Sequence, residues 1–367
     1  MTSTHSTPRR VLYAALAALA LSLPGWWIAP AAYLAAYLAA WWFCLGIVLG
    51  GPANVWIHTL TGGRWGEPLR EPLLRAGTLL PLLAALFGPV LLGIATVYPW
   101  AADIETARWA GKLASPGFKR FWLTPSFFVA RALGYLAVWM LLTHLARRMT
   151  LQRSRAYAAA ALILYGVTLT LASVDWIMSL MPRWYSATFG LLLGTGQMLT
   201  GLAFGVVLQA SRHTRPERQL FVDWGNLLLM YVLTWAYLAY TQYLIVWAEN
   251  LPHEIAWYVP RVQTAWWWAG WVLILGHFFL PLLILLSRAM KQTPPLLGAL
   301  AAALLAMQLV HVWWLTLPSL AVQSHDAWWF APLLAIGMSG VLYARWVARA
   351  PVDIANRPPV TPERAHV

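Results

Sequence analysis

The stretch that decides the fold runs from Leu171 to Gly190, LASVDWIMSLMPRWYSATFG. It reads as the end of one membrane helix, a tight corner and the start of the next. Pro182 ends the first helix, because its ring clashes with the preceding turn and its nitrogen has no hydrogen to donate. Arg183, Trp184 and Tyr185 then mark a membrane–water boundary, where amphipathic aromatic side chains settle. Counted back from Pro182 at about 1.5 Å per residue, Asp175 lies roughly 10 Å inside the apolar layer. A carboxylate at that depth costs about 2.5–3.5 kcal/mol unless it is paired, wet or protonated. Asp175 is therefore a candidate for function, and a helix–helix hydrogen bond is its plain structural alternative.

Outward from this corner the same pattern repeats. The chain has 367 residues, of which 60% are hydrophobic and only 10% charged. That composition excludes an ordinary soluble domain. Apolar runs of about 20 residues recur along nearly its whole length, so the fold class is all-α: a polytopic integral membrane helix bundle. About ten spans are predicted, near 10–28, 31–57, 72–97, 122–146, 156–181, 185–210, 222–248, 263–287, 295–317 and 327–348. Residues 1–9 read as a cytoplasmic N-terminus, 10–349 as the bundle and 350–367 as a disordered cytoplasmic tail. The N-terminal run resembles a signal peptide but continues through Pro24 and Trp27 without a small-residue cleavage site, so it reads as a retained first span. Gly50, Gly51 and Pro52 predict a bend near the end of the second span.

The net charge of +13 does not point to nucleic acid, because the basic residues sit in short loops between apolar runs. Eighteen of the 25 Lys and Arg residues fall at the termini and in alternate loops, six fall on the opposite side, and Arg131 lies within a span. The positive-inside rule then puts both termini in the cytoplasm. Asp175, Glu249, His253 and Glu254 fall in the outer half. Residues 98–120 form the longest loop and carry Trp100, Trp109 and Phe118 beside Asp103, Glu105, Lys112 and Lys119. They read either as an amphipathic helix on the membrane surface or as an ordered loop. The single Cys44 leaves no disulfide framework and no CxxCH haem attachment.

Polar residues inside the spans are few. In the seventh span Asn226, Thr234, Tyr237 and Thr241 are separated by sums of three and four, so they share one helix face. Gln242 and Glu249 follow toward the outer surface. Such a stripe faces helices or water rather than lipid, and serves either a proton path or interhelical bonding. Arg131 needs an acidic partner, for which Asp175 and Glu249 are the candidates. His277 and His311 on adjacent spans invite a bis-histidine haem. Counted along their spans, they lie about 20 Å and about 9 Å from the outer ends, too unequal in depth for one iron. His277 therefore reads as a hydrogen-bonded core group or a proton relay. His58 and His144, near cytoplasmic ends, are expected to be solvated.

Several stretches together resemble one family. SVDWIMSLMPRWYSATFG (173–190), WAYLAYTQYLIVWAENLPHEIAWYVPR (235–261), LTGGRWGEPLREPLLRAGTLLPLLAALFGPVLLG (60–93) and VYPWA (97–101) are similar to segments of the ActF-type integral membrane subunit of alternative complex III. That complex oxidises membrane quinol and passes electrons to a periplasmic cytochrome or an oxidase. The resemblance implies a structural subunit that binds no cofactor itself, with a proton-path or quinone-proximal role in a complex that takes quinone or quinol. Its implied partners are a polysulfide-reductase-anchor-like membrane subunit, a multihaem cytochrome c and an iron–sulfur subunit, within the lipid bilayer. Asp175 matches the family's acid, and Gln242, Glu249, Asn250 and Glu254 fall on its span-seven motif. The chain departs from the family at the corner, with Met181 and Arg183 where the family has an acid and a histidine. A secondary transporter and an oxidase-associated assembly scaffold are the competing readings.

Overall fold

The computed structural model describes residues 6–102, 116–148, 150–151, 153–212, 216–320, 327 and 329–349. Among the described residues there is no strand. Ten helices are long and apolar enough to cross a membrane: Pro8–Ile28, Pro30–Thr61, Glu67–Leu92, Pro125–Leu145, Arg155–Leu180, Phe189–Ala210, Arg218–Glu249, Trp267–Leu286, Pro294–Leu320 and Phe330–Ala348. They are called spans one to ten below. The protein is an all-α, multi-pass helix bundle, and the even number of spans among the described residues places Pro8 and Ala348 on the same side. Most of the long loop's predicted surface helix, including Asp103, Glu105, Trp109 and Lys112, lies outside the described residues, as does the tail 350–367.

Spans two and six form the centre. Nearly every side chain of Ala32–Val48 is buried, Phe43 and Ile47 excepted. Lipid is as apolar as leucine, so membrane helices associate through close packing of small residues and hydrogen bonds. Span six supplies both, with glycines at 190, 194, 196, 201 and 205. A Cβ on Gly50 would fall 2.0 Å from the Gln197 carbonyl oxygen, and one on Gly201 would fall 2.3 Å from the Gly51 nitrogen. The two backbones therefore meet with no room for a methyl group. Asn54 pins the crossing by donating to the carbonyls of Gly50 and Met198, both at 2.8 Å. Tyr231 of span seven donates to Asn54 Oδ1 at 2.9 Å and ties a third span to the same point. The predicted bend is present: the helix of span two is interrupted at Leu49, between Val48 and Gly50.

Two other spans are irregular. Span three is built from Glu67–Gly77, Leu80–Ala85 and Gly88–Leu92, and the last two pieces begin with a proline at their second residue. Proline fits the first turn of a helix and breaks an interior. Span eight contains a π-helical turn, Leu273–Phe279. Around Trp176 the rings of Trp41, Phe87, Tyr135 and Trp139 close within 4.5–5.9 Å of its centroid. The 171–190 stretch behaves as expected at Pro182: the helix ends at Trp176, a short 3₁₀ turn spans Met178–Leu180, and the chain turns. Trp184 leaves the boundary position expected of it. It is buried and stacks on Trp257, with centroids 4.1 Å apart. His58 also differs from expectation. It is buried, with Nε2 2.8 Å from the Gly63 carbonyl and its ring edge-on to Trp65, because the glycine turn folds back over it.

Candidate functional site

Asp175 sits on the last turn of the span-five helix and is fully buried. The side chain that answers it comes from span four. Arg131 donates through Nε to Oδ2 at 2.8 Å and through Nη2 to Oδ1 at 3.0 Å. Trp122 Nε1 donates to Oδ1 at 2.7 Å, and the Tyr135 hydroxyl donates to Oδ2 at 2.9 Å. Each carboxylate oxygen thus accepts two hydrogen bonds, which fills its capacity of about four. The guanidinium is held in turn. Nη1 donates to the Trp122 carbonyl at 2.8 Å, and the rings of Trp122 and Phe127 lie 4.1 and 4.4 Å from it. Of the two expected partners for Arg131, Asp175 is the one it meets, while Glu249 is exposed at the end of span seven. This is a two-pronged ion pair sealed by aromatic rings, the geometry in which charge-assisted bonds are strongest. Tyr135 follows Arg131 by one helical turn, so both reach the same carboxylate. Neither Trp122 nor Tyr135 was legible as a partner, because each is one aromatic among many.

The second polar cluster lies among spans seven, eight and nine. His277, fully buried on the π-helical turn, has Nε2 2.8 Å from Gln308 Nε2. An amide nitrogen only donates, so the imidazole accepts there and carries its hydrogen on Nδ1. Nδ1 has no partner among the described residues. Trp235 packs against both histidines, with centroids 4.1 Å from His277 and 5.2 Å from His311. The indole N–H points at the His311 ring, 3.3 Å from Nε2 and 3.4 Å from Nδ1. The two imidazole centroids are only 6.3 Å apart. This corrects the unequal depths expected from counting along the spans. Span nine runs on as helix and 3₁₀ turn to Leu320, and span eight begins at Trp267, so both histidines sit deeper or shallower than the predicted ends implied. Beside His311 is a cavity of about 10 Å³, with polar walls from Gln197, Thr200, Gln308 and His311. That is close to the volume one water needs. Gln197 Nε2 is buried there with no partner among the described residues, and its Oε1 lies 3.4 Å from the Tyr165 hydroxyl.

The span-seven stripe divides. Thr234 and Tyr237 are exposed, Thr241 is half-buried and Asn226 is exposed, although its Oδ1 accepts from Lys291 Nζ at 2.7 Å. The stripe therefore faces out of the chain rather than toward its other helices. Gln242, off the stripe, is buried and donates to the Tyr258 hydroxyl at 3.4 Å. Burial pushes the Tyr258 hydroxyl up to about 12, and the bond from Gln242 pulls the other way. Glu254 is buried, with Oε2 unpartnered among the described residues.

Arg261, counted from sequence as a loop charge, is fully buried. It donates to the carbonyls of Trp314 and Leu315 at 3.0 and 2.8 Å, to Ser319 Oγ at 2.7 Å, and to the Trp257 carbonyl. Its guanidinium lies 3.4 Å from the Trp257 ring centre. Burial pulls its pKa well below the ordinary arginine value, since the charged form loses water. The aromatic run around it, WYVPR, was the only available signal.

No family model matches the chain, and no curated protein matches it.

Proposed function

We propose that this chain is an integral membrane subunit of a quinol-oxidising electron-transfer complex of the alternative complex III type, in a bacterial inner membrane. The observation that carries the reading is the outward polar face of span seven. Tyr237 and Tyr240 are 68% and 62% exposed, with Thr234 exposed one turn before Tyr237. Tyr237 is twelve residues from Glu249, the end of the helix, or roughly 18 Å at about 1.5 Å per residue. A hydroxyl at that depth gains nothing from lipid and gains hydrogen bonds from a partner helix. A chain with such a face belongs in a larger membrane assembly. The resemblance of residues 60–261 to the ActF-type subunit names the kind of assembly.

In this reading the electrons move through partner subunits: a multihaem cytochrome c, an iron–sulfur protein and a polysulfide-reductase-anchor-like subunit that meets quinol. This chain supplies their membrane frame. Asp175 acts as a clamp between spans four and five, because taking up a proton there means breaking its ion pair. The buried group better suited to proton transfer is His277, whose Nδ1 has no partner among the described residues and whose Nε2 meets Gln308, a wall of the water-sized cavity.

The test is purification of the tagged full-length chain from native membranes in mild detergent. An assembly that contains c-type haem and reduces an acceptor with quinol supports the proposal. A chain that purifies alone from several mild detergents sinks it. A secondary transporter is the second reading, favoured by the broken helix of span three and the π turn of span eight, since interrupted helices build transporter sites. Solute uptake by vesicles containing the isolated chain would select it.

A further inference from the structure

A cleft of about 750 Å³ opens between spans three, four and ten, at the end of the bundle that carries both termini. Its size lies within the usual range for small-ligand sites, about 300–1,000 Å³. Three arginines line it, Arg75, Arg147 and Arg349, together with His144, and a single acid, Glu71, stands against them. Its inner wall is apolar, from Leu74, Pro81 and Met140.

Arg75 shows what the cleft is built to receive. Its side chain is only 10% exposed. The guanidinium lies 4.4 Å from the ring centre of Trp346, which holds it in place from span ten. Its one acid, Glu71, is 3.8 Å from Nη2 and is itself 58% exposed. Nε and Nη1 have no partner among the described residues. Nε–H and Nη1–H leave the guanidinium on opposite sides, so each is left for its own oxygen acceptor, as an oxygen-rich anion seated beside the side chain supplies. Above it Arg349 is anchored by bonds from Nη1 to the Thr78 carbonyl and hydroxyl, at 3.0 and 3.2 Å, which leaves its other donors free for the cleft.

Location selects the source of the anion. By the positive-inside rule this end of the bundle faces the cytoplasm. Span four is a perimeter helix, with Leu133 and Leu141 exposed on its outer side. A site with cations at its mouth and apolar walls below has the polarity of a lipid standing in its leaflet, headgroup outward. Basic pockets between helices at the cytoplasmic surface recognise such headgroups. We propose that this cleft binds the phosphate headgroup of an anionic phospholipid from the cytoplasmic leaflet, with Arg75 as its inner ligand and Arg147 and Arg349 at its rim.

The full-length chain, purified in mild detergent, is titrated with phosphatidylglycerol, phosphatidylcholine or inorganic phosphate, and bound lipid is counted by native mass spectrometry. Phosphatidylglycerol is expected to be retained over phosphatidylcholine. Arg147→Gln and Arg349→Gln should each weaken that retention about fivefold. Glu71→Gln, which removes the acid competing for Arg75, should strengthen it. This gain cannot be mimicked by misfolding. Equal retention of the two lipids, or phosphatidylglycerol binding unchanged in all three variants, overturns the site. Displacement of phosphatidylglycerol by millimolar inorganic phosphate overturns the assignment to lipid.

Discussion

The buried pair of Arg131 and Asp175 sets the terms at the scale of single residues. A buried charge left alone costs far more than a buried pair contributes. Asp175→Asn keeps the side chain's shape but strands the guanidinium, so it should destabilise the protein by about 3–5 kcal/mol. Thermal unfolding in detergent measures this. Replacing both partners with apolar residues, Asp175→Leu with Arg131→Met, should recover most of the loss, as removal of whole buried pairs often does. The recovered protein also separates structure from chemistry, because unchanged turnover of the complex proposed above would confine Asp175 to holding helices together. A second cycle concerns His277. Gln308→Leu alone removes the hydrogen bond to Nε2 and should cost about 1–3 kcal/mol, while Gln308→Leu with His277→Leu should fall close to the native stability. If the proposed quinol oxidation is found, a stable double variant that has lost it would give His277 a part in the reaction.

At the scale of elements, spans two and six stand or fall together. Their backbones meet at Gly50 and Gly201, where an added methyl carbon would lie 2.0–2.3 Å from main-chain atoms. Main chain cannot move aside as a flexible side chain can. Gly201→Ala should therefore force the helices apart, costing about 1–3 kcal/mol or more, in the range of overpacked interiors. Gly134→Ala, on span four with open space around it, serves as the control and should be neutral or stabilising. Equal behaviour of the two variants in thermal unfolding would refute the crossing. Spans seven and eight offer the opposite case. Trp268, Trp271 and Leu275 are exposed on span eight, as Tyr237 and Tyr240 are on span seven. These helices are held by only part of their circumference.

For the whole molecule, that uneven distribution of burial is informative. The bundle packs tightly about spans two and six and stays open along spans one, five, seven and eight, of which span seven carries the outward polar groups. Tyr237→Lys would put a charge on the open face near the middle of the apolar layer. If the face is covered by a partner subunit, the variant should leave the isolated chain's unfolding temperature nearly unchanged and deplete the assembly recovered from membranes. Native gel electrophoresis of the two preparations distinguishes these effects. An assembly recovered at the normal level would show that the face meets lipid. Loops at the end carrying the termini are joined by exposed pairs, Arg64 with Glu217 at 2.8 Å and Arg153 with Glu67 at 3.1 Å. Exposed pairs contribute only about 0–1 kcal/mol each, so the shape rests on the spans and not on these ties.

The ten spans, the corner at Pro182 and the break near Gly50 were legible in the amino-acid sequence, because lipid demands long apolar helices and proline ends them whatever the neighbours. Asp175 and Arg131 also stood out, since a charge among apolar residues is costly wherever it lands. Their pairing was not legible, and neither were the parts of Trp122 and Tyr135, because a choice between two acids depends on which helices touch. The same reason hid the approach of His277 to His311. Depth counted along a span carries an error of several residues, and a π turn shifts the face a residue presents. The sequence placed the span-seven stripe against helices or water, and the packing instead turns it out of this chain. Helical periodicity says which residues share a face, whereas only the neighbours brought in by the fold say what that face meets.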